Sequence, residues 1–308
     1  MSRTFHGLPV CNVLTALDAG EELPAAGAAA WRIALGYRYD GKTEFAEAWQ
    51  RFLDAVDTTR VRALVVGAWW AGDYDGLAGP LARIVDGADR LPALEALFVG
   101  DVRSEECEIS WLEMCDITPL FESFPRLTDL AVRGGNGLRL RPVRHERLRS
   151  LAFESGGLPA RVVRALGACE FPALEELDLW LGVDEYGGDH TLEDLAPLLT
   201  ATRLPALRSL GLQNSEYQDD IAAAVAQAPV VARLEHLALG MGVLTDEGAA
   251  ALLEGQPLTH LASLDLHHHY LSAEMQQRVA EALAGVDVDL SEAEDEEDEE
   301  DRYVAVSE

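Results

Sequence analysis

Three consecutive histidines, His267-His268-His269, follow Asp265 by one intervening leucine, and this is the most metal-like group in the chain. Imidazole nitrogens and carboxylates are ordinary ligands for zinc and related ions. In an extended strand Asp265 and His267 share a face, about 6.8 Å apart, and His236 lies on the same face of the neighbouring strand, strands being spaced about 4.8 Å. Two or three ligands could converge there, but no fourth is evident, so the triplet reads as a polar group on the surface. Glu176 and Asp178 alternate in the same way. With Asp265 and His267 they offer the residue types of a metal-binding or hydrolytic site.

A second candidate is Arg133-Gly-Gly-Asn-Gly-Leu-Arg-Leu-Arg-Pro-Val-Arg-His, part of a cluster of six arginines from Arg133 to Arg149. Glycine-rich turns can expose main-chain N–H groups to an anion. A lone Gly-rich turn is a weak phosphate signal, however. The preferred reading is a tight turn with solvated arginines paired to nearby Asp and Glu. The chain has no H-E-x-x-H, no G-x-S-x-G, no P-loop and no dinucleotide fingerprint. No catalytic residue, metal or cofactor is expected.

These residues are positioned by a repeat. Leu234-x-x-Leu237-x-Leu239 recurs as Leu261-x-x-Leu264-x-Leu266, and earlier copies start at Leu207, Leu174, Leu148, Leu127, Leu94 and Val61. A weaker first copy is Ala30-x-x-Ile33-x-Leu35, and a last one is Leu283-x-x-Val286-x-Val288. About ten copies follow one another at intervals of 21 to 33 residues, the mark of a repeat architecture. Pro92, Pro125, Pro172 and Pro205 each stand two residues before a start, where proline ends a helix without disturbing the strand. Between strands the periodicity predicts helices over 43–56, 77–85, 116–124, 159–168, 191–200, 219–228, 245–253 and 272–283. The 21-residue interval after Leu127 is too short for a full helix.

The L-x-x-L-x-L core and the Leu244-Thr-Asp-Glu-Gly-Ala stretch resemble the leucine-rich repeats of the ribonuclease-inhibitor type. Together with Trp180-Leu181-Gly182 and the Arg133 turn, they are similar to a family of bacterial, actinomycete repeat proteins. The resemblance covers roughly residues 30–290. It implies an α/β leucine-rich-repeat solenoid, a horseshoe with a parallel concave sheet and convex helices, that binds a partner. Most copies lack the consensus Asn after the strand; only Asn136 and Asn214 lie near that place. Residues 1–29 are expected to be an N-terminal cap, 30–290 the solenoid, and 291–308 an acidic disordered tail.

In that register alternate strand positions line the concave face, among them Phe98, Arg133, Glu176, Asp178, Trp180, Gln213, Asp265 and His267. Aromatic residues gather just past the strands, at Tyr37, Trp69, Trp70, Trp180, Tyr186, Tyr217 and Tyr270. Strands of a solenoid stack, so these loops should share one rim, and Tyr and Trp suit an interface. The expected partner-binding set is therefore Tyr37, Trp69, Trp70, Phe98, Arg133, Glu176, Asp178, Trp180, Tyr186, Gln213, Asp265 and His267.

Charge narrows the partners. The 308 residues carry a formal net charge of -30, with 48% hydrophobic residues, which argues against nucleic acid and anionic membranes. Four scattered cysteines suggest reduced thiols in a cytoplasm. No apolar run marks a signal peptide. The expectation is a non-enzymatic module that binds a protein or peptide through its concave face and aromatic rim. The alternatives are a metal-binding or hydrolytic enzyme using the concave carboxylates and histidines, and a structural homo-oligomer.

Overall fold

A strand that alternates leucine with small or polar residues buries one face and offers the other. The computed structural model, which describes residues 3–35, 44–70, 75–295 and 302–308, sets such strands into one twelve-stranded sheet in chain order. They are β1 (Thr4–Phe5), β2 (Leu8–Asn12), β3 (Ala30–Ile33), β4 (Ala63–Val66), β5 (Ala96–Val99) and β6 (Asp129–Arg133), then β7 (Ser150–Glu154), β8 (Glu176–Gly182), β9 (Ser209–Ser215), β10 (His236–Ala238), β11 (Ser263–Asp265) and β12 (Asp287–Asp289). β1 pairs antiparallel with β2. From β2 onward every pairing is parallel and no connection skips a strand. The return paths carry α1 (Val13–Ala19), α2 (Phe45–Ala55), α3 (Ala78–Asp86), α4 (Thr118–Ser123), α5 (Ala160–Ala168), α6 (Leu192–Thr200), α7 (Gln218–Val225), α8 (Asp246–Glu254) and α9 (Ala273–Ala282). This is an α/β leucine-rich-repeat solenoid, in which each unit buries its apolar face against its neighbours. Among the described residues no helix is long and apolar enough to cross a membrane.

The register of the middle repeats follows the leucines. Leu64, Leu97, Leu130, Leu151, Leu177, Leu210, Leu237 and Leu264 stand side by side on consecutive strands, all buried. Both ends are corrected by two residues. Leu64 pairs with Trp31, not Ile33, and Leu264 pairs with Val288, not Val286. A slip of two keeps every side chain on its own face, so the apolar alternation could not tell the registers apart. One further strand, β2, continues the parallel array before the first expected copy, and α1 follows it.

Successive repeats are also latched at their helix starts. Asp219 Oδ1 accepts from the main-chain N–H groups of Thr245 and Gly248, and Asp246 does the same for Ser272. A carboxylate there satisfies otherwise orphan donors and complements the helix dipole. Each latch joins one repeat to the next. The short interval between β6 and β7 contains no helix; the chain there forms isolated bridges, Asp116 with Arg139 and Arg144 with Glu170.

The two ends of the chain fold back onto the sheet. β1 and β2 form a hairpin that curls over the concave side, where Phe5, Leu8 and Val10 pack on Ala30, Ala63, Val65, Ala96 and Phe98. At the other end Arg302–Glu308, expected in a free tail, is in contact with the solenoid: Val304 is buried and Ala305 N–H donates to the Met241 carbonyl at 2.8 Å. The expectation of a disordered tail is corrected for these seven residues, whose apolar Tyr303-Val-Ala-Val306 pattern has a surface to cover. The acidic run from 296 to 301 lies outside the described residues.

Candidate interaction surface

The hairpin divides the concave face in two. Beneath it, small side chains on β3, β4 and β5 are sealed from solvent, and Phe98 stacks against Phe5 with ring centroids 5.9 Å apart. His6 at the hairpin turn stands 3.2 Å from Asp129 and 3.6 Å from Glu95. Phe98 is therefore a core residue, which corrects its placement on an open face. Its position was right and its cover, a distant strand, was invisible in the repeat pattern.

Across this covered half runs a buried ion pair. Arg32, on β3, donates from Nε to Asp101 Oδ2 at 2.7 Å and from Nη2 to the Asp101 carbonyl at 2.7 Å. Gly67 makes the crossing possible: a Cβ there would lie 2.3 Å from Nη2. Next along, Arg133 lies over the Phe98 ring, 5.6 Å from its centroid, and donates to Glu154 at 2.6 Å and to the Val102 carbonyl at 2.9 Å. Burial nonetheless pushes the Glu154 carboxyl above the usual range against the pull of Arg133.

Beyond β7 the concave face is open, with carboxylates on β8, β11 and β12. Glu176 is exposed, Asp178 and Asp265 are partly exposed, and Asp287 and Asp289 are exposed. Asp178 leans over Gly211, where a Cβ would lie 2.1 Å from Oδ1, and accepts from Gln213 Nε2 at 2.8 Å. Burial raises its carboxyl above the ordinary aspartate value, and the Asp265 charge adds to this. The Trp180 indole sits beside it and helps hold the carboxyl down, although its buried Nε1 falls short of hydrogen-bond geometry; Gln213 Oε1 is unpartnered. Asp178→Asn keeps the acceptor for Gln213 and removes the charge. Because the folded-state value is raised, ionisation weakens the native state at neutral pH. The variant should melt higher than wild type at pH 7, and the difference should close as pH falls to 3.8, the ordinary aspartate value.

The histidine triplet is corrected from a surface group to three separate structural roles. His267 Nδ1 meets Asp265 Oδ1 at 2.7 Å on the concave face. His268 is buried and its Nε2 meets the Tyr303 carbonyl at 3.0 Å. His269 is fully buried; its Nε2 meets the Leu290 carbonyl at 3.1 Å and its Nδ1 accepts from Leu271 N–H at 3.1 Å. Burial lowers its pKa, holding the ring neutral. Among the described residues no three His, Cys, Asp or Glu side chains converge as a metal site. Burial pushes the Cys115 and Cys169 thiols up to about 11, the opposite of an activated nucleophile.

The arginine cluster is largely paired. Arg133 holds Glu154, Arg141 approaches Asp116 at 3.3 Å, Arg144 binds Glu146 and Glu170, and Arg149 stands 3.6 Å from Glu175. Arg139 and Arg147 stand exposed.

The rim aromatics separate into two groups. Trp69 and Trp70 are only 2% and 8% exposed and pack edge to face in the core, with Trp69 Nε1 donating to the Asp75 carbonyl. Their placement on an exposed rim is corrected: they fill the layer between sheet and helices. Tyr37 lies outside the described residues. Trp180 and Tyr186 are partly exposed, Tyr217 is 49% exposed and Tyr270 is buried. What draws Trp180, Tyr186 and Tyr270 together is the segment Arg302–Glu308. Tyr186 donates its phenol to Glu308 Oε1 at 2.6 Å, and that carboxylate pushes the Tyr186 pKa up to about 12. Trp180, Arg133, Val102, Leu112, Val306 and Glu308 border a cavity of about 250 Å³. The sequence signal for this contact was the β-prone Tyr-Val-Ala-Val stretch after the acidic run, which composition alone folds into a tail.

No protein-family model matches the chain, and no curated protein does. Among solved structures, an internalin from Listeria monocytogenes is 17% identical with a TM-score of 0.41, covering 79% of this chain and 64% of its own. A crystal structure of a protein from Bacteroides fragilis is 29% identical with a TM-score of 0.81, covering 91% of this chain and 78% of its own. The chain is thus similar in fold to the Bacteroides fragilis protein over nearly its whole length.

Proposed function

We propose that the protein is a non-enzymatic interaction module whose open concave face, β7 to β12, binds a protein or peptide carrying cationic side chains. The observation that carries this is a set of concave-face carboxylates, Glu176 and Asp178 on β8 and, across β9 and β10, Asp265 on β11 and Asp287 and Asp289 on β12, none of which pairs with Lys or Arg among the described residues. Such a set attracts a basic partner over a distance and fixes its register. Trp180 at its edge supplies an aromatic anchor of the kind that dominates interface energies. A catalytic reading is less well supported: Asp178 is tied to Gln213, His267 to Asp265, and Glu176 stands in solvent. We place the repeats with the helix-bearing, ribonuclease-inhibitor-like class. Four free cysteines support a reducing compartment, the cytoplasm.

The test is a photo-cross-linking side chain placed at Glu176, with a control on the convex side at Glu254. Cross-links in the native cell should form at Glu176 to a partner with a basic segment, and should be lost in 1 M salt. Cross-links confined to Glu254, or equal at both positions, would overturn the assignment of the concave face. Charge reversal by Glu176→Lys with Asp265→Lys should weaken the interaction at least ~10-fold, as juxtaposed like charges do.

A further inference from the structure

Arg302–Glu308 lies across the strand ends of β11, β10, β9 and β7, and it is held chiefly by its main chain. Tyr303 N–H donates to Tyr270 Oη at 3.0 Å, and the Tyr303 carbonyl accepts from Tyr270 Oη at 3.1 Å and meets His268 Nε2 at 3.0 Å. Ala305 N–H donates to the Met241 carbonyl at 2.8 Å. Asn214 grips Val306 on both sides, accepting from its N–H at 2.9 Å and donating to its carbonyl at 2.5 Å. Ser110 Oγ donates to the Ser307 carbonyl at 2.5 Å. Five residue steps of extended chain reach roughly 17 Å, and four strand spacings reach roughly 19 Å, so an extended peptide meets one repeat after another.

The rim is shaped for this approach. Asn214, Met241 and His268 occupy one equivalent position in three successive repeats, 27 residues apart. Each has a left-handed backbone, with φ of 59°, 66° and 52°, a conformation disfavoured for most residues with a Cβ and better tolerated by Asn and His. At each of them a side chain or carbonyl is turned onto the segment. Gly156 supplies the clearance, since a Cβ there would lie 2.0 Å from the Ser307 carbonyl.

We propose that this rim is a peptide-binding groove that reads an extended chain through its backbone, with Arg302–Glu308 as its occupant in cis. The partner it fits is a segment of the same chemistry: an aromatic residue, then β-branched or small apolar residues, then a carboxylate two residues beyond the last of these. Val304 fills a buried position and Glu308 meets Tyr186, and these two set the side-chain preference. Main-chain bonds give affinity and side-chain pockets give selectivity, as in other extended-peptide readers. The idea rests on the reading of the chain as an interaction module, but concerns the rim and not the acidic face. The acidic stretch 296–301 tethers the occupant, so it competes at an effective concentration on the order of millimolar.

The test uses the full chain with a protease site in place of residues 296–301. The probe is a fluorescein-labelled peptide with the sequence Arg302–Glu308. Before cleavage the peptide should show no saturable binding. After cleavage and dialysis it should bind saturably, at peptide concentrations at least ~10-fold below the highest at which the uncut chain shows no binding. A peptide N-methylated at the position of Val306 should lose at least ~10-fold, because Asn214 reads that N–H. Replacing serine by alanine at the position of Ser307 should change binding less than ~3-fold. Asn214→Ala and Gly156→Ala, checked for intact circular dichroism, should each abolish uptake. Failure of the cleaved chain to take up the peptide, or equal binding of the N-methylated form, would overturn the proposal. The Glu176 cross-links are independent of either result.

Discussion

An Arg32→Ala protein should unfold with about 3–5 kcal/mol less free energy than wild type, the usual loss when one partner of a buried ion pair is removed. Arg32 and Asp101 are each only 2% exposed. The guanidinium makes two bonds to Asp101, one to the carboxylate and one to the carbonyl. Alanine would leave the buried Asp101 carboxylate without this cation and would open a gap above Gly67. Lysine is not an adequate replacement, because a point charge cannot reproduce the fork. Urea unfolding curves give the comparison directly. Gly67→Ala supplies an independent check, since its Cβ would press on Nη2 and destabilise without altering any charge. A loss below 1 kcal/mol for Arg32→Ala would show that the pair contributes no more than a surface contact.

Leu237→Ala should cost about 2–5 kcal/mol, as does deleting a buried leucine from a packed core. Leu237 is 1% exposed and stands between Leu210 and Leu264 on the flanking strands. His236→Ala, one residue away, should fall within about 0.5 kcal/mol of wild type. Its ring is exposed and its bond to Ser263 Oγ at 2.8 Å competes with water. Because one step along a strand exchanges the faces, the two substitutions read the register separately. The reverse order of effects would require the whole array to be shifted by one residue.

The solenoid was legible because period-two alternation inside each strand and a recurring interval between strands are independent signals that agree. The helices were legible from their apolar faces and from the proline before four of the strands. At the ends the interval signal is lost, since β2 has no predecessor of its own kind and β12 has no successor. Alternation alone then tolerated the two-residue slip at Trp31 and Val288. The candidate surface was less legible. Alternation assigned Phe98 to the concave side correctly, but nothing local announces that Phe5, many residues away, will cover it. Trp69 and Trp70 illustrate another ambiguity: past the end of a strand, the direction of a side chain is set by the loop and not by the pleat. Glu176, Asp178 and Asp265, within the strands, lie on the face that alternation gives them, and His267, just past β11, stays beside Asp265.

The hairpin over β3 to β5 and the segment across β7 to β11 change the mechanics of the array. A stack in which each unit touches only its neighbours behaves as a one-dimensional chain, free to fray from either terminus. Here both termini are doubled back, so the outermost units are clasped to units several places inward. Fraying of the last repeat must first open the clasp at Asn214 and Tyr270, and fraying of the first must lift Phe5 from Phe98. The curvature of the horseshoe is thereby fixed by two tie-rods as well as by the stacking of its rungs. Under tension applied at the ends, these ties should part before any rung does.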